Sequence, residues 1–393
     1  MSGAIALEGL RVLELSGLYG AYCGKLFADM GASVTLVETA EGSPMRAKAP
    51  FLANEPSPDT SLPFNYFAAN KRSVVADLGT EEGQKALFTA ASRADLLILS
   101  DHPQTAHVDL EALRLANPGL VCTRITPYGT SGPYSGYKGD DLTLMAMGGL
   151  LTMAGYPDSA PVVAFGEQGL LAGDQFAAVA SLAAVLRAEA TGQGEIIDVS
   201  IQEAIVMALE NAAQTYQLEG KVRKRSASSA RAGTGIFPCS DGEVYLLAGG
   251  IGETAMWGSF AKWMASEEVT GCELFSDPDW NDLAPGADEA FRAVFLPFAK
   301  ARTKDQLYQG GKRWGVPIAP MSTAVDLLTN PQLLHRQYFV TAPSGSAIGP
   351  VAMPGAPYKF SVSPWALRTA APGLGEYGNL ADLTDLQDVQ SHD

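Results

Sequence analysis

The stretch that decides the fold class is LRVLELSGLYGAYCGKLFADMGASVTLVE, residues 10–38. It predicts a buried strand over 10–15, a helix over 21–31 that Gly31 closes, and a second strand over 33–38. Strands that alternate with a helix of this length pair in parallel through a right-handed crossover. The stretch is therefore typical of an α/β protein.

The same alternation continues along the chain. Thr80 and two acidic residues predict the start of a helix over 80–92, and a further helix is expected over 109–119. Residues 166–204 read as a helix, a Gly-rich turn, a strand and the start of another helix. Further strands are predicted over 73–78, 95–100 and 120–129. Together these elements predict a Rossmann-like, doubly wound parallel sheet.

The second half of the chain predicts a smaller domain. Residues 130–160 are rich in Gly, Tyr and Ser and read as loops that carry function, whereas the helix over 168–190 is apolar nearly all round and should be buried. Residues 228–250 predict a polar linker that enters a strand hairpin with Asp241-Gly242 as its turn. A domain boundary is therefore expected near 225, followed by mainly helical structure over 250–330.

The composition excludes several classes of protein. With 393 residues, of which 47% are hydrophobic and 18% charged, the chain can pack two domains. A net charge of −16 argues against nucleic-acid binding. The cysteines lack paired spacing, and neither a secretion leader nor a stretch of membrane-spanning length is indicated. We therefore expect a cytoplasmic protein with free thiols, no metal and no membrane contact.

Two local features point to an anionic ligand. Gly17, Gly20 and Gly24 in the turn after the first strand do not fit the GxGxxG fingerprint, but the helix N terminus behind them can accept a pyrophosphate. Lys71-Arg72, just before a strand, can either meet phosphates or form a solvated basic corner. GxSxG and Walker motifs do not occur in the sequence.

Ordered blocks along nearly the whole chain resemble the class III CoA-transferases, the formyl-CoA and carnitine CoA-transferase family of the CaiB/BaiF type. The blocks include LEGLRVLEL (7–15), ANKRSVVADL (69–78), ATGQGEIIDVSIQEA (190–204), GTGIFPCSDG (233–242) and APGLGEYG (371–378). The resemblance implies a large CoA-binding domain from 1–200 and 331–393, a linker helix over 201–225, a small α+β domain over 226–330, and an interlocked dimer.

The resemblance also implies a CoA site. CoA or acyl-CoA is then a substrate rather than a covalently bound cofactor, and the first strand–helix turn and the basic corner would contact it. The residues that this assigns to CoA are Gly17, Leu18, Arg46, Lys71, Arg72 and Lys138. Where relatives often carry Arg-Pro after the fourth strand, this chain has His102-Pro103.

The chemistry of the family depends on one aspartate. Its carboxylate attacks the thioester carbonyl to form a mixed anhydride, and CoA thiolate then converts it to an aspartyl-CoA thioester that the acceptor acid resolves. Counted back without gaps from Thr191, the position of this aspartate is held by Leu170, and the Gly that follows it in relatives is Asp174. The acid in this chain thus lies one helical turn late, about 5.4 Å along the axis.

Several functions are consistent with this displacement. In two-subunit members such as benzylsuccinate CoA-transferase, one subunit lacks the aspartate, and we expect this chain to be such a subunit, paired with an aspartate-bearing homologue and using succinyl-CoA as donor. The alternative is a self-sufficient homodimer with Asp174 as displaced nucleophile. An acyl-CoA racemase is disfavoured because Asp140 stands where a catalytic His is expected. A non-catalytic CoA-binding protein stays open as well.

Overall fold

The computed structural model describes residues 4–225, 231–249, 253–277, 279–383 and 386. The chain divides into two compact units. The first comprises Met1–Leu151, Val163–Val222 and Leu334–Asp393, and the second comprises Thr152–Val162 and Arg223–Leu333. The bounds of these units differ from the expected domain bounds. Residues 201–222, expected as a linker, belong to the first unit. The second unit takes the loop over 152–162 together with 223–225 and 331–333.

A six-stranded parallel sheet forms the centre of the first unit, which confirms the predicted fold class. Its strands are β1 (Arg11–Leu15), β2 (Ser33–Glu38), β3 (Lys71–Val75), β4 (Leu96–Leu99), β5 (Val121–Thr126) and β6 (Ile196–Ser200). Their order is β3-β2-β1-β4-β5-β6. This is the Rossmann order, in which the order of the strands reverses between β1 and β4 and leaves a crevice at the carboxyl ends of these strands.

Thirteen α-helices occur among the described residues. The first unit contains α1 (Ala21–Asp29), α2 (Leu62–Phe67), α3 (Glu81–Ala91), α4 (Leu110–Ala116), α5 (Asp141–Met147), α6 (Gln168–Thr191), α7 (Ile201–Val206) and α8 (Ala212–Glu219). The second contains α9 (Glu253–Ser266), α10 (Ala287–Lys300), α11 (Lys304–Trp314) and α12 (Ala324–Leu328). The last, α13 (Pro331–His335), crosses the boundary. As predicted, Thr80 caps α3 by accepting a hydrogen bond from Gly83 N at 3.0 Å.

Successive side chains of a strand point to opposite faces of the sheet, and apolar side chains on each face pack into a separate core. Val12 and Ile98 face a core shared with α1, α5, α6 and α7. Leu13 and Leu97 face the opposite core, shared with α3 and α4. The apolar runs that predicted the strands therefore reflect a sheet covered by helices on two sides.

Helix α6 differs from its prediction. It packs on the sheet through residues such as Ala177 and Val185, but Phe176, Val179 and Leu186 on another face are 45%, 70% and 58% exposed. The prediction that this helix is buried on all sides is therefore wrong for the chain by itself. By length and composition the helix would also suffice to cross a membrane, although the core helix of an α/β domain passes the same test.

The C-terminal segment closes the outer edge of the sheet. The side-chain oxygen of Asn70 accepts hydrogen bonds from the backbone N–H groups of Arg368 and Thr369 at 2.6 and 3.0 Å. Tyr377 N donates to Ser73 O at 3.0 Å, and Val75 N donates to Gly378 O at 3.0 Å. These bonds cover an edge that would otherwise expose the unpaired backbone groups of β3. A short antiparallel pair, β10 (Phe339–Thr341) and β11 (Ala352–Pro354), lies earlier in this segment.

The second unit has a separate core. Its antiparallel strands are β7 (Thr234–Cys239), β8 (Gly242–Leu247) and β9 (Ile318–Pro320). Cys239 pairs with Gly242, so the hairpin turns at residues 240–241, one residue earlier than predicted. Phe291 of α10 packs on Phe237 of β7 and on Phe260 of α9 in one aromatic core. Mainly helical structure over 250–330 is confirmed for the described part of that range.

Candidate active site

The crevice between β1 and β4 is closed by the chain's own side chains. Gly17 N donates to Ser100 Oγ at 3.2 Å, and Leu18 N donates to the Asp101 carboxylate at 3.0 Å. A Cβ at Gly17 would lie 2.4 Å from Asp101 Oδ1, so a larger residue there would displace the Asp101 carboxylate. In a Rossmann sheet such backbone N–H groups are available to a ligand anion. Here the predicted CoA contacts Gly17 and Leu18 bind two residues that follow β4 instead.

Asp174 occupies the next part of the same turn. Its Oδ1 accepts a hydrogen bond from Gly20 N at 2.7 Å and its Oδ2 accepts one from Tyr22 N at 3.1 Å. The carboxylate of α6 therefore lies at the N terminus of α1, where the helix dipole favours negative charge. Burial raises the pKa of Asp174 to about 7, although the two N–H donors act in the opposite direction.

Leu170, which the gap-free count places at the position of the family nucleophile, lies one turn earlier on α6. It is buried, and its backbone N–H donates to Asp141 Oδ1 at 3.0 Å. Asp141 thus binds the free N–H groups at the start of α6 and fixes this turn. The side chain of Leu170 is a hydrocarbon, without a lone pair that could attack a thioester.

Leu170 and Asp174 both line a cavity of about 500 Å³ beside the α1 turn. The lining is mainly apolar and includes Met45, Leu62, Pro63, Phe67 and Leu171. Such a volume and lining are typical of a site for a small organic ligand, in which a few polar groups fix its orientation. The cavity is therefore the candidate active site of the first unit.

An ion pair adds charge to this cavity. The Lys48 ammonium contacts the Glu167 carboxylate, and their side chains are 19% and 41% exposed. Glu167 precedes α6 in a left-handed conformation, with φ of 56° and ψ of 49°, and its side chain does not cap the helix. Among the described residues that line the cavity, Lys48 is the only cation. It lies in an irregular segment after a short 3₁₀ turn, so periodicity in the sequence could not mark it.

The predicted cationic contacts are engaged within the protein. Lys71 Nζ forms an ion pair with Glu14 at 2.7 Å, and both side chains are almost fully buried. The Arg46 guanidinium binds Glu38 at 2.7 Å and Asp59 at 3.0 Å. These pairs satisfy charges that would otherwise be costly inside the core.

The other predicted CoA contacts have different surroundings. Arg72 donates to Ser33 Oγ and to the carbonyl of Leu386, whereas Lys138 is exposed. His102 is buried, and burial lowers its pKa to about 4. It is therefore neutral near pH 7 and does not supply the positive charge that an arginine at this position would supply. All these CoA contacts stay predictions.

The acid at the racemase position has a structural partner. Asp140 caps α5 by accepting a hydrogen bond from Thr143 N at 2.8 Å, and this bond lowers its pKa. A carboxyl that is ionised and bound in this way is poorly suited to exchange a substrate proton. Groups of three or more potential metal ligands do not occur in the described part of the chain.

A Rossmann-order sheet with an apolar cavity at its switch-point turn is typical of an α/β protein that binds a small organic ligand. The profile of CoA-transferase family III matches residues 7–377. This chain therefore belongs to CoA-transferase family III, a family of transferases that use CoA thioesters as substrates.

Individual relatives agree with this assignment. The chain is 39% identical over 374 residues to succinyl-CoA:(R)-benzylsuccinate CoA-transferase subunit BbsE of Thauera aromatica, covering 93% of this chain and 91% of the relative. It is 28% identical to the alpha subunit of succinyl-CoA–L-malate CoA-transferase of Chloroflexus aurantiacus, covering 97% and 90%. A CAIB/BAIF family protein from Brucella suis superimposes with a TM-score of 0.80 at 26% identity, covering 94% and 97%.

Proposed function

We propose that this CoA-transferase chain is the subunit that lacks the nucleophilic aspartate and works with an aspartate-bearing homologue. The complex would move CoA from succinyl-CoA to a second dicarboxylic acid. One observation carries the proposal: Leu170, at the nucleophile position, faces the cavity, while both oxygens of Asp174 bind the backbone of α1. The homologue would then supply the carboxylate that attacks the thioester carbonyl and expels CoA thiolate.

The names of the relatives support the substrates and the partner. The benzylsuccinate and malate enzymes are named for succinyl-CoA as donor and for a dicarboxylic acid as acceptor, and both relatives are named as subunits. Phe176, Val179 and Leu186 on α6 form an exposed apolar face, which is typical of a surface that a second subunit covers. We also keep a cytoplasmic location as a prediction.

A self-sufficient homodimer is the second candidate, because Asp174 does line the cavity. As nucleophile it would have to release the N–H groups of Gly20 and Tyr22 and present a free oxygen to the thioester. A carboxylate oxygen has more than one lone pair, so the two hydrogen bonds weaken Asp174 as a nucleophile but do not prevent its attack.

Covalent trapping separates the two candidates. The chain is purified alone and with any homologue that co-purifies, incubated with succinyl-CoA, quenched with hydroxylamine and digested for mass spectrometry. We expect the hydroxamate on the homologue, with this chain unmodified, and an unchanged result when Asp174→Asn replaces the wild-type chain. Modification of Asp174 in the chain alone, lost in D174N, would instead identify this chain as the catalyst.

A further inference from the structure

We infer that Lys48 is a specificity-determining residue that binds the free carboxylate of a dicarboxylic substrate whose hydrocarbon part fills the cavity. The inference rests on the proposed function and adds an acid-binding group in the cavity of the subunit that lacks the nucleophile. It follows from the Lys48–Glu167 pair and the apolar lining around it.

The chemistry of the substrate requires such a cation. A CoA-transferase uses one carboxyl group of a diacid as the acyl carbon, so the other stays ionised throughout the reaction. An ionised carboxylate in an apolar cavity is unfavourable unless an opposite charge pairs with it. Asp174 and Glu167 in the lining are acidic, and Lys48 supplies the positive charge.

The present partner of Lys48 can be exchanged. Glu167 is the more exposed member of the pair, at 41% against 19% for Lys48, so its carboxylate can return to water when released. Its left-handed backbone is uncommon for a residue with a side chain, and the ion pair helps to hold it there. A substrate carboxylate that displaces Glu167 replaces one ion pair by another and keeps the ammonium paired.

The rest of the cavity selects for an apolar substituent. Leu62, Phe67, Leu170 and Leu171 offer hydrocarbon and aromatic surface, and the volume of about 500 Å³ lies within the range of sites for drug-sized ligands. The structure therefore assigns to this site an aryl- or alkyl-substituted diacid. In the homologous catalytic subunit the nucleophile would stand where Leu170 adds to the apolar wall.

Calorimetric titration of the full-length chain with two matched ligands tests the inference. 4-Phenylbutanoate carries an aromatic ring and one carboxylate, which stands for the free carboxylate of the diacid, and 4-phenylbutanamide is its neutral isostere. We expect the wild-type chain to bind 4-phenylbutanoate about tenfold more tightly, as one charge-assisted contact implies. Lys48→Met should abolish this preference but leave the affinity for 4-phenylbutanamide unchanged, and Lys48→Arg should retain most of it.

Glu167→Gln should change the binding affinity in the direction opposite to Lys48→Met. It therefore also serves as the control for a general loss of structure. Removing the competing carboxylate should tighten 4-phenylbutanoate binding, whereas a merely structural pair would weaken binding in both variants. Equal affinity for the acid and the amide in the wild-type chain, or parallel losses in K48M and E167Q, would overturn the assignment. If the complex transfers CoA but the chain shows no preference for the carboxylate, only this inference is refuted. If the chain shows the preference but the complex does not transfer CoA, the proposed function is refuted.

Discussion

The Asp174 carboxylate does within this chain what a bound phosphate does at the N terminus of many Rossmann helices. It lies at the start of α1 and accepts hydrogen bonds from Gly20 N and Tyr22 N. The gap-free count from Thr191 places Leu170 at the family position for an attacking acid, and the nearest acid binds the N terminus of α1. This arrangement is expected if the chain, as proposed, depends on a homologue for the nucleophile.

Titration of Asp174 should make stability depend on pH. Its pKa is raised from 3.8 to about 7, so between these values the folded chain keeps a proton that the unfolded chain has lost. The contribution of this group to the free energy of unfolding is full below about pH 4 and decreases as the pH rises to about 7, by at most about 1.4 kcal/mol per pH unit. Asp174→Asn cannot titrate and should lack this component.

Urea unfolding of both proteins at several pH values measures the effect. The free energy of unfolding of the wild-type chain, minus that of D174N, should fall as the pH rises through this window and level off above it. A difference that stays constant would show that Asp174 is ionised in the folded chain at all these pH values.

Restoring the family pattern should restore the nucleophile. The double substitution Leu170→Asp with Asp174→Gly places an acid on the cavity wall and frees the α1 turn. We expect succinyl-CoA to modify residue 170 of this variant, detected as a hydroxamate by mass spectrometry. Leu170→Asn with Asp174→Gly is the matched control and should stay unmodified. A Gly inside α6 costs about 1 kcal/mol, so thermal unfolding should first establish that both variants fold.

At the level of elements, α6 combines two functions on its two faces. One face packs on the sheet and carries Leu170 and Asp174, while the other exposes Phe176, Val179 and Leu186. A subunit bound to the exposed face would therefore contact the helix that forms the wall of the candidate site.

A charge on this face should disrupt assembly without affecting folding. Val179 is 70% exposed in the chain by itself, so Val179→Lys should change the free energy of unfolding by no more than about 0.5 kcal/mol. We expect it to reduce the molar mass measured by light scattering after size exclusion. Leu115→Lys is the control, because Leu115 of α4 is 84% exposed and lies outside this face. Equal masses for wild type and V179K would exclude this face as a subunit interface.

The central strands β1, β2, β4 and β5 were predictable because each is an apolar run covered on both sides, and the α3 cap because its signal is local. The exposed face of α6 was not, because an apolar helix has the same pattern whether a neighbouring helix or another subunit covers it. The sequence also located Asp174 and Leu170 by counting from Thr191. It could not show that Asp174 reaches Gly20, 154 residues away, or that Lys48 joins them, since only the fold brings these residues together.

For the molecule as a whole, the two units have separate cores. Leu13 and Leu97 belong to the core of the sheet, and Phe237 and Phe291 to that of the second unit. A substitution in one core should therefore destabilise its own unit and leave the other unit folded. A single unfolding midpoint then need not describe the chain.

Phe291→Ala tests this separation. The side chain is fully buried among aromatic rings, so its loss should cost the second unit about 3 to 5 kcal/mol. Hydrogen exchange measured by mass spectrometry should show faster exchange in peptides from 231–333 and unchanged protection in β1 and β4. Leu13→Ala should give the reverse pattern. Uniform loss of protection in either variant would mean that the two cores unfold together.

The bonds between β3 and the segment around residues 368–378 have a consequence for synthesis on the ribosome. Asn70 and Ser73 find their partners only when Arg368 and Tyr377 have emerged, long after the other strands of the sheet are available. The second unit lies earlier in the sequence and can complete its core first. A nascent chain that stalls before residue 368 therefore carries a finished small unit beside a sheet with one open edge, which is the state that chaperones have most reason to bind.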